Sequence, residues 1–164
     1  MWAKCGCQPQ IKSAPTQEKA AFIGFVNPAT GELITNECDK FNYETIMESV
    51  KSFAENISED KKILIVLDNA SWHKKAVRLL QANNDFPRIE FIFLPPYSPE
   101  LNPIERVWRV TRRERTHNRF FDKLSVLKTM LISYFDNLRT PNEKLRTLCH
   151  IPFIYDVTYS IDLY

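Results

Sequence analysis

Two short apolar runs, each followed by polar residues, indicate the centre of an α/β fold. Residues 63–67 are β-branched or leucine, which predicts a strand covered on both faces. Residues 89–94 predict a second such strand. The first run delivers Asp68 at its end, and the second leads through a proline-rich loop to Glu105. Two carboxylates at the same end of a sheet would suit a divalent metal ion.

The remaining periodicity adds a hairpin and several helices. Residues 20–26 and 32–38 predict two strands joined by the turn cluster at 27–31. The order ββαβαβαα is that of an α/β protein with a mixed sheet covered by helices. Because helices separate them, the strands at 63–67 and 89–94 are expected to be parallel. Two helices are expected at 42–57 and at 71–82, the second with Ser71 or Asn69 as N-cap. A third begins at Pro103 with Asn102 as N-cap, and a fourth extends from Leu124 to Leu138. The capping box Thr140-Pro141-Asn142-Glu143 opens a short last helix that ends at Leu148.

The composition is that of a soluble globular protein. A length of 164 residues suits one domain, and 44% hydrophobic with 26% charged residues is ordinary. The apolar runs are too short to span a bilayer and no signal peptide opens the chain, so we expect a cytoplasmic protein with no membrane partner. Four cysteines match no usual zinc spacing and are expected to be reduced structural thiols: Cys5, Cys7, Cys38 and Cys149.

Positive charge is concentrated in one stretch, although the net charge is only +2. Six arginines and one glutamate lie between Arg106 and Arg119. Arg109 and Arg112 follow Glu105 by four and seven residues, which places them on its side of a helix. Together with Arg113 they predict contacts to DNA phosphates, which would make binding salt-dependent. The alternative is a solvated helix face.

Each candidate site residue also has a purely structural interpretation. Asp68 could end a strand in an Asp-Asn turn that caps the next helix. Glu105 could complete a capping box with Asn102. His73, a candidate ligand or phosphate contact, is more often a turn or core histidine. The functional interpretation is a site in which Mg²⁺ or Mn²⁺ ions about 4 Å apart act on a phosphodiester.

A resemblance to a known family is carried by residues 67–73, LDNASWH, and 94–108, LPPYSPELNPIERVW. These blocks resemble the DDE endonuclease domain of mariner-like transposases, most of all the bacterial insertion-sequence branch, and similarity extends from Trp2 to about Leu148. The resemblance implies a ribonuclease H-like fold and Mg²⁺-dependent (or Mn²⁺-dependent) strand cleavage and strand transfer at transposon ends. It also implies double-stranded DNA as partner and a homodimer when complete. Carried over, Asp68 is the second metal-binding aspartate and Glu105 the third acidic ligand.

One departure from the family concerns its first aspartate, which lies on a strand preceding the segment that resembles residues 2–6. No aspartate stands here before Asp39, which follows the hairpin. We therefore expect the C-terminal portion of a transposase, from a split gene or a decayed copy. It would comprise a catalytic domain at 1–150 lacking its first strand and a tail at 151–164, with an upstream transposase polypeptide as partner.

The missing strand would lie between the hairpin and residues 63–67. Its absence would expose an unpaired apolar edge, so we expect the chain alone to be poorly soluble or inactive as a nuclease. The alternative function is a non-catalytic DNA-binding remnant or regulator of an intact transposase. A structural-RNA or Holliday-junction nuclease on the same fold is less favoured by the motifs.

Overall fold

A computed structural model describes residues 19–150 and the backbone of residues 159–163. Within this part of the chain, five strands form one sheet and five helices cover it. None of these helices is long and apolar enough to cross a bilayer. The strands are β1 (Ala21–Val26), β2 (Leu33–Cys38), β3 (Ile63–Leu67), β4 (Ile89–Phe93) and β5 (Tyr159–Leu163); the helices are α1 (Tyr43–Glu55), α2 (Ser71–Ala82), α3 (Pro103–Thr111), α4 (Leu124–Asp136) and α5 (Glu143–Cys149).

The sheet is mixed, with the strand order β2-β1-β5-β3-β4. Strand β1 pairs antiparallel with β2 and with β5. Strand β3 pairs parallel with β4 and with β5. The predicted α/β class, the hairpin and the parallel pair are thereby confirmed.

The strand beside β3 on the hairpin side is β5, from a segment to which the sequence assigned no element. Ile65 lies level with Tyr159, and Val66 with Ser160. The expectation of an unpaired edge at β3 is therefore wrong, because a strand from residues 151–164 covers that edge. Poor solubility loses its stated cause and stays a prediction. Inactivity of the chain alone and the division into 1–150 and 151–164 also stay predictions.

One face of the sheet packs against α1 and α2. The odd-numbered residues of β3 point to this face, and Phe25 stacks on Phe53 of α1 with ring centroids 4.3 Å apart. The helical stripes predicted from the sequence supply the opposing layer. Its fully or nearly fully buried members are Ile46, Val50, Phe53 and Ala54 on α1 and Ala76, Val77 and Leu80 on α2.

The opposite face packs against α3, α4 and α5. The predicted stripe of α3, Ile104 with Val107 and Trp108, is buried there. Gly24 of β1 permits the close approach, because a Cβ at this position would lie 2.7 Å from Trp108 Cζ2 and 3.2 Å from Ile104 Cδ1. Helix α3, which carries Glu105, is therefore seated directly on the sheet.

Two of the predicted helix caps are corrected by the structure. The N-cap position of α2 is Ala70, and no side chain caps that helix, because Ser71 is already its first residue. At α5 the capping oxygen belongs to Asn142, whose Oδ1 accepts from the N–H of Leu145 at 3.0 Å, and not to Thr140.

Two of the four cysteines lie within the described residues. Cys38 and Cys149 are free thiols there, in accord with the expectation, whereas Cys5 and Cys7 lie outside. Burial raises the pKa of Cys149 to about 12, and burial together with the neighbouring Asp39 raises that of Cys38 to about 11. Both thiols are protonated at neutral pH.

Candidate active site at the end of the sheet

Asp68 directly follows β3, at the carboxyl end of the parallel strands. Its Oδ1 accepts a hydrogen bond from the N–H of Ala70 at 2.8 Å and lies 2.5 Å from Nδ1 of His73. The side chain is nevertheless 47% exposed. Asp68 therefore forms the turn at the start of a helix that the structural interpretation expects, and its carboxylate is also exposed.

His73 is 1% exposed, on the inner side of α2. The structure corrects the expectation of a DNA contact, because so deeply buried an imidazole presents no surface to a phosphate. Since an ionised carboxylate only accepts hydrogen bonds, Nδ1 donates to Asp68. Within the described residues Nε2 has no hydrogen-bond partner. His73 restrains the rotation of the Asp68 side chain.

Glu105 lies in the first turn of α3, two residues after Pro103, which is the first residue of the helix as predicted. The preceding Asn102 is fully buried, and its side chain forms no capping hydrogen bond. The reciprocal capping box is therefore not formed, because it requires that bond. The main structural alternative for Glu105 loses its support.

Asp68 and Glu105 line the same cleft, which has a volume of about 280 Å³. Its other wall is the proline-rich loop from Leu94 to Pro99. The Asn69 side-chain amide donates to the carbonyl of Leu94, which ties this loop to the turn after β3. The two carboxylates predicted from the sequence are brought together at one end of the sheet.

Tyr97 is the residue of this cleft that the sequence interpretation did not single out. Its side chain is fully exposed and its backbone has a φ of +58°, a left-handed conformation that costs a residue with a bulky side chain about 1–3 kcal/mol. The sequence signal that could have identified Tyr97 was an aromatic residue between prolines in a long loop. The loop holds this ring in solvent at the mouth of the cleft.

The arginines after Glu105 divide into two groups. Arg106 donates to the carbonyls of Leu148 and His150, at 3.2 and 3.0 Å, and the Arg115 guanidinium lies 4.2 Å from the ring centroid of Tyr134. These two belong to the packing around α3. The predicted phosphate contacts, Arg109, Arg112 and Arg113, are exposed.

The helix carrying these arginines changes its winding after Thr111. Residues Arg112–Thr116 form a π-helical turn, which changes the spacing of the residues after Arg112. Arg112 itself still donates its N–H to the carbonyl of Trp108, as in an α-helix, so it keeps the predicted side of the helix. Arg113 is 73% exposed and lies 4.0 Å from Glu114. The three arginines form an exposed basic surface around the end of α3.

The chemistry of the donors fits a hard divalent cation. Carboxylate oxygens are the ligands that Mg²⁺ takes, with retained water completing its coordination. Among the side chains that the structure describes, no group of three or more His, Cys, Asp or Glu could hold a metal ion. Asp68 and Glu105 are the pair that shares the cleft.

Comparisons with known proteins agree with this geometry. A family model described as DDE superfamily endonuclease matches residues 1–128. An uncharacterised protein of Sinorhizobium fredii, y4pE/y4sA, is 32% identical over 105 residues, which is 62% of this chain and 72% of the relative. A chain in the crystal structure of the Mos1 strand transfer complex superposes with a TM-score of 0.63 at 17% identity, over 92% of this chain. This chain spans 45% of that one, and the match confirms the ribonuclease H-like fold.

Proposed function

The chain belongs to the DDE superfamily of endonucleases, and we propose that it is the catalytic domain of a transposase that cuts DNA at transposon ends and joins it to a target. The observation that carries the proposal is the cleft shared by Asp68 and Glu105. Enzymes of this superfamily generally depend on divalent metal ions. The similar solved structure is itself a strand transfer complex, which supports double-stranded DNA as the partner.

Asp68 and Glu105 would hold Mg²⁺ or Mn²⁺ through their carboxylate oxygens. The bound metal would supply activation of the attacking oxygen and stabilisation of the leaving oxygen. His73 and the N–H of Ala70 orient Asp68 by donating to its Oδ1. His73 is thus a positioning residue, since it touches the carboxylate and is itself buried.

DNA would reach the cleft across the exposed basic surface. Arg109, Arg112 and Arg113 neutralise phosphates as the backbone passes the end of α3, and each contact makes binding more sensitive to salt. Tyr97 at the cleft mouth offers an aromatic face on which a base at a strand end can stack.

A nicking assay on supercoiled plasmid with Mg²⁺ or Mn²⁺ tests this function. With the upstream transposase polypeptide added, we expect metal-dependent nicking that Asp68→Asn and Glu105→Gln each abolish without changing the circular dichroism spectrum. Glu100→Gln is a matched control, because Glu100 lies on the same loop outside the cleft lining. Nicking that persists in both site variants would contradict the proposal.

The exposed arginines favour a second candidate, a DNA-binding regulator that competes with an intact transposase. Its mark would be DNA binding that needs no metal and is unaffected by Asp68→Asn, in a chain that does not nick. Equal binding after Arg109, Arg112 and Arg113 are all changed to Ala would count against it.

Assembly and location complete the proposal. We propose a homodimer that acts on DNA in the cytoplasm, with an upstream transposase polypeptide as a further partner. Light scattering on the chain with and without transposon-end DNA measures the oligomeric state. A strictly monomeric protein–DNA complex would contradict the dimer.

A further inference from the structure

Helix α2 carries a second group of exposed positive charges, on the face of the sheet opposite to α3. Lys74, Lys75 and Arg78 are exposed, and the helix contains no acidic residue. None of the ion pairs among the described residues involves these three side chains. A helix face that is merely solvated usually mixes the two signs, as the exposed Glu48 and Lys51 do on the neighbouring α1. The three cations of α2 therefore form a basic face of a single sign.

This basic face of α2 begins beside the cleft. Ala70 lines the cleft, and its carbonyl accepts from the N–H of Lys74 at 3.1 Å. Arg78 follows one turn later on the same side of the helix, because residues four apart are neighbours on a helix surface. Lys74 and Arg78 form a row that leads away from the cleft, with about 6 Å along the helix axis between them.

The position of these charges does not stabilise the helix. The first turn of α2 carries no acidic residue, and no side chain caps the helix. Lys74 and Lys75 follow this turn directly, near the end of the helix where the macrodipole is unfavourable for cations. The Lys75 ammonium lies 3.5 Å from the ring centroid of Tyr43, a contact that offsets part of this effect for Lys75. An anionic ligand would offset it for the whole face.

Strand transfer requires two DNA molecules at one pair of carboxylates. The 3′ hydroxyl oxygen of the transposon end forms a new bond to a phosphorus of the target, and the 3′ oxygen of the target strand leaves and takes up a proton. We infer, on the basis of the proposed function, that the basic face of α2 binds the target duplex, while the basic surface at the end of α3 binds the transposon end. The two lie on opposite faces of the sheet, with the cleft between them.

The chemistry of the two surfaces decides which DNA each one takes. Tyr97, on which we propose that a base at a strand end stacks, is on the loop that leads directly into α3. This places the transposon end on the side of α3 and leaves the face of α2 for the target. A target of many sequences is held through its phosphates, since contacts to phosphates carry no sequence information. The mobile ammonium groups of Lys74 and Lys75 suit such contacts.

A strand-transfer assay on the full chain, with the upstream polypeptide added, is the first test. A transposon-end duplex that is already cut is joined to a supercoiled plasmid as target. Lys74→Ala with Arg78→Ala should reduce joining about tenfold or more, and should lower the slope of log K against log salt for target binding by about 1.8, or about 0.9 for each lost phosphate contact. Cleavage of an uncut transposon-end duplex should proceed at the wild-type rate. Lys61→Ala with Lys62→Ala, an equal loss of exposed charge, should leave both reactions unchanged.

Lysine acetylation of the unaltered chain removes any dependence on how a variant folds. The complex with the upstream polypeptide and a transposon-end duplex is acetylated with and without plasmid target, and modified lysines are identified by mass spectrometry. We expect the target to protect Lys74 and Lys75, while Lys61 and Lys62 react equally in both samples. Equal reactivity of Lys74 and Lys75 with and without target would overturn the inference.

The two reactions separate this inference from the function on which it rests. If the unaltered chain cleaves and joins DNA and the Lys74→Ala, Arg78→Ala variant does both equally well, the role of α2 is refuted and the proposed function stands. An equal loss of cleavage and joining in that variant would assign this face to the transposon end and also refute the inference. If the unaltered chain neither cleaves nor joins DNA, both are refuted.

Discussion

Polar contacts orient the Asp68 side chain, and apolar packing on the sheet positions the helix that carries Glu105. The Asp68 carboxylate accepts from Ala70 and His73 within one turn of chain. Glu105 depends on α3, whose buried stripe is seated on the sheet over Gly24. We therefore expect changes around Asp68 to alter chemistry more than stability, and changes under α3 to alter both.

The largest effect should come from Gly24→Ala, which tests the packing side of this comparison. The added Cβ would stand 2.7 Å from the Trp108 ring, so that ring must shift, and we expect α3 to move with it and displace Glu105. Overpacking of this kind costs about 1–3 kcal/mol, measurable by urea denaturation, and nicking should disappear as well. In a double-mutant cycle Trp108→Phe should relieve part of the destabilisation. Additive effects would mean that the two residues do not touch.

The next largest effect should come from removing a polar contact of Asp68. His73→Leu keeps the buried volume but removes the donor to Asp68, so activity and Mn²⁺ affinity should fall about 10–100-fold. The free energy of unfolding should change by no more than about 2 kcal/mol. His117→Ala, at an exposed position, is the control. Unchanged Mn²⁺ affinity in His73→Leu would refute its positioning role.

Removing the basic surface should weaken DNA binding without moving the Asp68 and Glu105 carboxylates. Changing Arg109, Arg112 and Arg113 together to Ala should reduce the slope of log K against log salt by about 0.9 for each phosphate that is no longer neutralised. Fluorescence anisotropy with labelled duplex DNA at several salt concentrations measures this slope. Lys61→Ala with Lys62→Ala, at exposed positions before β3, should leave it nearly unchanged.

The smallest effect is the pH dependence that the buried Cys149 thiol, behind α3, gives to the free energy of unfolding. Cys149 Sγ lies 3.8 Å from the carbonyl oxygen of Pro103, and its pKa is raised from 9.0 to about 12. The native state therefore keeps a proton that the unfolded chain releases above about pH 9, so the free energy of unfolding falls as pH rises through this range. Cys149→Ala should lessen the decline between about pH 8 and about pH 10 by up to about 1 kcal/mol. Identical pH profiles would place the thiol in an ordinary environment.

Local signals in the sequence predicted much of this fold. A continuous apolar run identified β3, helical spacing identified α2, and Pro103 marked the first residue of α3. Each of these features depends on residues close together in the chain. The position of Asp68 at a strand end followed from the same local pattern.

Features that depend on distant residues could not be predicted in this way. Strand β5 takes its place in the sheet by pairing with both β1 and β3. The sequence of β5 alone does not indicate which strands it pairs with. The burial of His73 comes from the packing of α2 in the folded chain. The shared cleft requires the loop after β4 to fold back toward Asn69. The π-helical turn after Arg112 also had no signal in the spacing of the arginines.

Anomalous X-ray scattering from crystals soaked in Mn²⁺ would test the central claim most directly. We expect at least one Mn²⁺ peak in the cleft, coordinated by carboxylate oxygens of both Asp68 and Glu105. Mn²⁺ bound elsewhere, or a cleft without a peak at saturating Mn²⁺, would contradict it.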